Sequence, residues 1–343
     1  MRVQLFLLSL LVLAGSAFMT GVARRFALSC GLVDVPNARS SHKRTTARGG
    51  GLAVVLTTTV CLVALYTAGV ISGDFLLAVA VGGGAVALIG FLDDRCSIRP
   101  GIRITVHTAA ALWAVNRLGG LPPLQFGDQL IQLGWGGYAL GALGIVWLVN
   151  LFNFMDGIDG IAATEAIFIA TAGALLGSGG PGARDVTAAS WVFALASLGF
   201  LFWNWPPAKI FLGDVGSGYL GYVIAVLALA ATRSDPAALW AWLILGGVFF
   251  VDATMTLLWR LLRRERIYEA HRSHLYQSLA RRWGSHAKVT LAALAVNVLW
   301  LFPCAVFAMR RPELAAATVV FALAPLALLG AALGRTVTRH RAS

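Results

Sequence analysis

The chain has 343 residues, of which 58% are hydrophobic and 12% charged, with a mean hydropathy of +0.78 and a formal net charge of +12. Those proportions exclude an ordinary soluble globular domain. The charge requires no nucleic-acid partner, because basic loops facing anionic headgroups account for it.

Apolar stretches long enough to cross about 30 Å of hydrocarbon as helices recur at eleven places: roughly 3–22, 50–71, 75–92, 104–121, 136–152, 160–178, 187–204, 218–232, 237–259, 289–309 and 314–334. The expected architecture is therefore all-α, an integral membrane protein with one polytopic domain over 1–343. The first stretch also resembles a cleavable signal peptide. Only Arg2 precedes it, whereas Arg24 and Arg25 follow, which favours a retained helix with its N-terminus outside. Eleven crossings then leave the C-terminus cytoplasmic and place 21 of the 27 basic residues inside, the bias expected of a membrane protein. Cys30, Cys61, Cys96 and Cys304 are scattered without disulfide or metal spacing and read as packing residues.

The loops expected inside, 23–49, 93–103, 150–160, 205–217 and 260–288, hold most of the chain's chemistry. "DVPNARSSHKRTTARGGG" at 34–51 is basic enough to sit on anionic lipid, but that role does not require His42. At 90–103, "GFLDDRCSIRPGIR" sets Asp93 and Asp94 at the negative end of an apolar helix, where a compensating cation is needed. A solvated terminus neutralised by Arg95 is the simpler alternative.

In "NLFNFMDGIDG", 150–160, Asn150, Asn153, Asp156 and Asp159 follow one another at three-residue steps. Each step advances 300° on a regular helix, so a continuous helix cannot aim all four inward, and the chain is expected to break near Gly157 or Gly160. Pro206 and Pro207 end the stretch at 187–204. "GDVGSG" then offers Asp214, with Lys209 and Phe211 close by and Ser217 as an alternative helix cap. In 260–286, His271 and His274 are spaced for one helical face beside Arg272, which reads as an anion-binding surface; no third ligand at a familiar spacing supports zinc. Within the apolar stretches, Glu165 and Asp252 stand out as costly ionisable groups and therefore as functional candidates.

Carboxylates and carboxamides are hard oxygen ligands suited to Mg²⁺, and the surrounding basic groups suit phosphate. This is equipment for phosphoryl transfer at a membrane surface. The motifs "DVPNARSSHKRTTARGGG", "FLDDR", "NLFNFMDGIDGIA", "PAKIFLGDVGSGYLG" and a final His-containing loop resemble, in that order, those of the polyprenyl-phosphate N-acetylhexosamine-1-phosphate transferases of glycosyltransferase family 4.

The resemblance implies a reaction of a UDP-N-acetyl sugar with undecaprenyl phosphate in the bacterial inner membrane, releasing UMP, with Mg²⁺ as cofactor and Mn²⁺ able to replace it. It implies Asp214 and Asn153 as metal ligands, and Phe211, Asp159 and Gly157 at the uracil. Arg103, His271, Arg272, His274 and His42 are then substrate-binding, and Asp93, Asp94 and Asp156 catalytic. "HRSHLYQ" resembles the subgroup that starts O-antigen with deoxyhexosamines such as FucNAc or QuiNAc, so that sugar class is the leading expectation and GlcNAc the alternative. A homodimer is compatible with this reading. A cation-coupled transporter is the distant rival; it would place its polar groups near the bilayer midplane, not at helix ends.

Overall fold

In the computed structural model the described residues are 2–36, 45–177, 179, 182–264 and 273–339, with side chains described only between 6 and 333. All eleven apolar stretches are helical. In chain order the helices are α1 (Arg2–Ser29), α2 (Gly51–Thr67), α3 (Gly73–Cys96), α4 (Pro100–Leu118), α5 (Trp135–Met155), α6 (Ile161–Leu175), α7 (Ala183–Asn204), α8 (Asp214–Ser234), α9 (Ala238–Leu245), α10 (Gly247–Leu262), α11 (Leu275–Trp283), α12 (His286–Arg310) and α13 (Ala315–Arg339).

Among the described residues seven spans are long and apolar enough to cross a membrane, and α9 with α10 makes an eighth if that pair, bent by 71°, is one span. The remaining three expected crossings, α2, α4 and α6, fall outside that set. α2 and α6 have 17 and 15 residues, and α4 carries Arg103, His107 and Arg117. Two small hairpins complete the chain: β1 (Val33–Asp34) with β2 (Thr46–Ala47), and β3 (Leu124–Phe126) with β4 (Gln129–Ile131).

Helix boundaries follow local chemistry. α5 ends at Met155, and Gly160, at φ +79°, starts α6 in the left-handed conformation, so the chain breaks where the spacing of its polar residues required. α7 ends at Asn204, just ahead of Pro206 and Pro207. α8 begins at Asp214, four residues before the expected 218, with Gly213 and not Ser217 at its cap.

The architecture is organised around α8, whose most apolar window is 94% buried, against 11% for α1 and 17% for Pro312–Leu333. Inside a bilayer, apolar surface alone does not drive helices together; small residues that allow close backbone approach do. A Cβ on Gly51 of α2 would lie 2.1 Å from Cα of Gly216, and one on Gly90 of α3 would lie 2.4 Å from the Asp214 carbonyl oxygen. α8 thus touches its neighbours backbone to backbone. These contacts gather the C-terminal ends of α3 and α5 and the N-terminal ends of α2, α4 and α6 around the start of α8.

Candidate active site

Gly213 has φ +76°, and a Cβ there would stand 2.5 Å from Asp94 Oδ2. Only a glycine lets this loop fold over that carboxylate. Asp94 then accepts from the first backbone N–H groups of α8: Asp214 N to Oδ1 at 2.9 Å and Val215 N to Oδ2 at 3.2 Å. A carboxylate at the positive end of a helix is favourable, and α8 supplies otherwise unpaired donors there. Arg48 Nε adds a contact to Oδ1 at 2.8 Å, leaving the Asp94 side chain fully buried.

Asp214 lies at the centre of two arginine bridges. Arg48 joins Asp94 to Asp214 Oδ1 at 3.1 Å, and Arg103 joins Asp93 to Asp214 Oδ2 at 3.3 Å. Asp93 also accepts from Ile98 N at 2.5 Å. The adjacent acids of α3 are therefore compensated by cations from two other elements. Arg95 instead stacks on Phe91, 4.9 Å from the ring centroid, so the simpler alternative, a terminus neutralised by that residue, is not what the structure has.

Asn153 Nδ2 donates to Asp214 Oδ1 at 3.0 Å and to Ser217 Oγ at 3.2 Å. The two expected metal ligands, 61 residues apart in sequence, are thus neighbours. Asp156 stands just beyond α5, and no ion pair is formed to it by the described residues. Burial, reinforced by the charge of Asp214, pushes its carboxyl well above the usual range. Asn150 bonds back to Val146 O at 2.8 Å and faces its own helix, not the cluster.

The fit to a divalent cation can be judged from these donors. Among the described residues no three His, Cys, Asp or Glu side chains form a metal-binding group by themselves. Mg²⁺, however, commonly takes one or two carboxylates and completes its shell with waters and substrate phosphates. Asp214 and Asn153 supply hard oxygens, Arg48 and Arg103 are the described cationic partners of the surrounding acids, and a divalent cation there would favour the ionised form of Asp156 that burial disfavours.

The other expected residues are dispersed around this centre. Asp159 accepts from Ala208 N at 3.0 Å and lies 3.4 Å from His286 Nδ1, so its carboxylate ties α6, the 205–213 loop and α12 together. Gly157 packs under α11: a Cβ there would be 2.2 Å from the Tyr276 hydroxyl. Phe211 is half-buried, and its backbone bonds to Ala47 O and receives Gly50 N, which docks the segment before α2 beside α8. Lys209 stacks over Trp203 and does not turn toward Asp214.

His274 departs from its expectation. It is not on a helical face but caps α11 in extended backbone; it is only 2% exposed, and its Nδ1 is 3.3 Å from Asp252. Asp252, singled out as a functional acid, accepts from the backbone of Leu275 and Tyr276, both at 2.9 Å, and so anchors α11. Glu165 pairs with Asn297 Nδ2 at 2.6 Å between α6 and α12. His42, His271 and Arg272 lie outside the described residues. Sequence reasoning overlooked Arg48 and His286. Arg48 had a signal in the run of acids needing cations, whereas His286 had none beyond its place after the Ser285 cap.

An apolar helical body with an acidic, arginine-braced cluster at one end defines a polytopic membrane protein built for phosphate chemistry. A family profile described as Glycosyl transferase family 4 matches residues 76–232. A probable undecaprenyl-phosphate N-acetylglucosaminyl 1-phosphate transferase of Bacillus subtilis is 30% identical over 302 residues, covering 86% of this chain and 82% of the relative. The decaprenyl-phosphate N-acetylglucosaminephosphotransferase of Mycolicibacterium smegmatis is 30% identical over 311 residues, covering 80% and 75%. A phospho-N-acetylmuramoyl-pentapeptide-transferase of Chloroherpeton thalassium is 36% identical over a shorter stretch of 80 residues, 23% of this chain and 20% of the relative. The chain belongs to the glycosyltransferase family 4 polyprenyl-phosphate N-acetylhexosamine-1-phosphate transferases, and is a glycosyl-1-phosphate transferase.

Proposed function

We propose that this enzyme transfers N-acetylglucosamine 1-phosphate from UDP-N-acetylglucosamine to undecaprenyl phosphate at the cytoplasmic face of a bacterial inner membrane, releasing UMP. The observation that carries the reading is the Asp93–Asp94–Asp214 cluster with its two arginines, at one end of a membrane bundle. The choice of sugar rests on the two relatives aligned over at least 80% of this chain, both named for N-acetylglucosamine. That name outweighs the deoxyhexosamine expectation, which drew on the short segment "HRSHLYQ".

In the transfer, an oxygen of the lipid phosphate forms a bond to the sugar-bearing phosphorus of the donor as the bond from that phosphorus to the UMP oxygen breaks. A phosphate monoester, with its second pKa near 6, is mostly dianionic at neutral pH, so no protein base is needed. Asp214 and Asn153 would hold Mg²⁺, which supplies neutralisation of the leaving phosphate's charge. Asp94 is a positioning residue that fixes Asp214 through the start of α8. Asp93 holds Arg103, whose partly exposed guanidinium is directed to diphosphate. Asp156 would add negative charge once a bound cation offsets the burial that favours its neutral form, and Asp159, Gly157 and Phe211 form the nucleoside side.

Incubation of the purified protein with undecaprenyl phosphate, Mg²⁺ and a panel of UDP-sugars, with UMP and lipid product measured, tests the proposal. Turnover with UDP-N-acetylglucosamine is expected. Turnover confined to a UDP-deoxyhexosamine would restore the alternative sugar, and absence of UMP with every donor would refute the reaction.

A further inference from the structure

We propose that His286 and Thr290 are positioning residues that set Asp159 to read the nucleobase of the donor, and that through them the site selects uracil over cytosine. The inference rests on the reading of Asp159 as part of the nucleoside side and adds to it two residues from the start of α12. His286 and Thr290 are four apart, so they share one face of that helix, and both meet the same residue. Asp159 N donates to His286 Nδ1 at 3.3 Å, and Thr290 Oγ1 donates to Asp159 O at 3.3 Å. The next backbone N–H, that of Gly160, donates to Asn204 Oδ1 at 2.9 Å. Every backbone polar group from Asp159 N to Gly160 N is thus held by a side chain of another helix, at a start of α6 that has no side-chain cap of its own.

The carboxylate is fixed from a different element. Ala208 N donates to Asp159 Oδ2 at 3.0 Å, which ties the acid to the loop that carries Phe211 three residues later. Asp159 Oδ1 lies 3.4 Å from His286 Nδ1. A backbone N–H donates only to an unprotonated ring nitrogen, so the bond from Asp159 N assigns the ring proton to Nε2. In that tautomer Nδ1 has no proton to give to Oδ1. No other hydrogen bond reaches Oδ1 among the described residues. The side chain, 12% exposed, therefore keeps one oxygen that accepts, cannot donate, and is not yet used.

Such an oxygen matches one base and not the other. Uracil carries an imide N3–H that can donate to it, whereas cytosine has an unprotonated N3 whose lone pair would face it. A bond from N–H to an ionised carboxylate is among the stronger hydrogen bonds, and a site built for one N–H strongly rejects an analogue that lacks it. Asp159 makes this contact; His286 and Thr290 act through it and do not touch the base. Loss of their bonds would free the Asp159 backbone to turn and carry Oδ1 away.

The test measures binding of UMP and of CMP to the full-length protein in detergent with Mg²⁺, by isothermal titration calorimetry. The wild type is expected to bind UMP roughly tenfold or more tightly than CMP. His286→Ala should weaken UMP about tenfold and barely change CMP, so that the preference falls toward that of Asp159→Ala. His286→Asn, whose amide oxygen can take the place of Nδ1, should keep most of the preference; His286→Gln, whose amide reaches toward the Nε2 position, should not. Thr290→Val removes only the hydroxyl and should give a smaller loss in the same direction. In turnover, KM for UDP-N-acetylglucosamine should rise in His286→Ala by more than kcat falls. A ring that only packs would weaken both nucleotides alike and would not be rescued by asparagine. A retained UMP preference in His286→Ala, or equal losses in His286→Ala and His286→Asn, would overturn the proposal and leave the nucleoside assignment of Asp159 standing. Equal binding of UMP and CMP by the wild type would overturn both.

Discussion

The two carboxylate oxygens of Asp94 receive the backbone N–H groups of Asp214 and Val215, so the end of α3 sets the height and direction of α8 at its first residue. Asp94 thereby acts on the site through Asp214. Asp94→Asn keeps the size of the side chain but loses the charge shared with Arg48. It should raise the Mg²⁺ concentration for half-maximal activity by about 10–100-fold, the usual cost of disturbing a residue behind a metal ligand. Asp214→Asn should abolish turnover at any Mg²⁺ concentration. A Mg²⁺ titration of UMP release in both variants distinguishes the roles; an unaltered Mg²⁺ dependence in Asp94→Asn would contradict the assignment.

Gly90→Ala tests the backbone crossing of α3 and α8. Alanine is the better helix former, so an exposed glycine would give a stabilised variant. Here the added methyl would lie 2.4 Å from the Asp214 carbonyl oxygen. We expect a loss of about 1–3 kcal/mol, as for overpacked cores, together with reduced activity. Thermal unfolding in detergent provides the measurement, and a raised midpoint would exclude the tight crossing.

Chelation separates charge balance from catalysis. Because Arg48 and Arg103 brace the acidic cluster, EDTA should stop UMP release while lowering the unfolding midpoint by no more than roughly 5 °C. Global unfolding on chelation would mean that the cation, and not the arginines, holds the acids together.

Cys30, just after α1, and Cys96, the last residue of α3, are exposed at the same end of the bundle as the cluster. With that end cytoplasmic, a membrane-impermeant maleimide should label neither in intact spheroplasts and both after permeabilisation. Labelling in intact spheroplasts would invert the proposed orientation.

Asp252→Ala removes the acceptor for two backbone donors at the start of α11. Leaving such groups unpaired costs about 1–3 kcal/mol each. Limited proteolysis should cut the variant between α10 and α12 at lower protease concentration than the wild type. Equal resistance would show that α11 is held by its apolar face alone.

The break after α5 and the stop of α7 were legible in the sequence, because spacing and proline act locally. The acids at helix ends were legible too, since charge in so apolar a chain stands out. What the sequence hid was partnership. Asp252 looked functional because the backbone groups it serves lie 23 and 24 residues away. Arg48 looked like one more basic loop residue because its partner Asp214 is 166 positions distant. Asp93 and Asp94 formed an obvious pair, yet nothing local told that one anchors a helix start while the other grips Arg103.

The burial of α8 also bears on how the protein is made. A segment with 94% of its core window hidden is not solvated by lipid in the finished molecule, and its glycines gain their contacts only from helices synthesised before it. During synthesis, α2 through α7 must form a socket that still admits one more helix, with Arg48 and Arg103 already at its rim. Arrival of Asp214 completes both the packing and the charge balance, which ties maturation of the bundle to assembly of its chemistry.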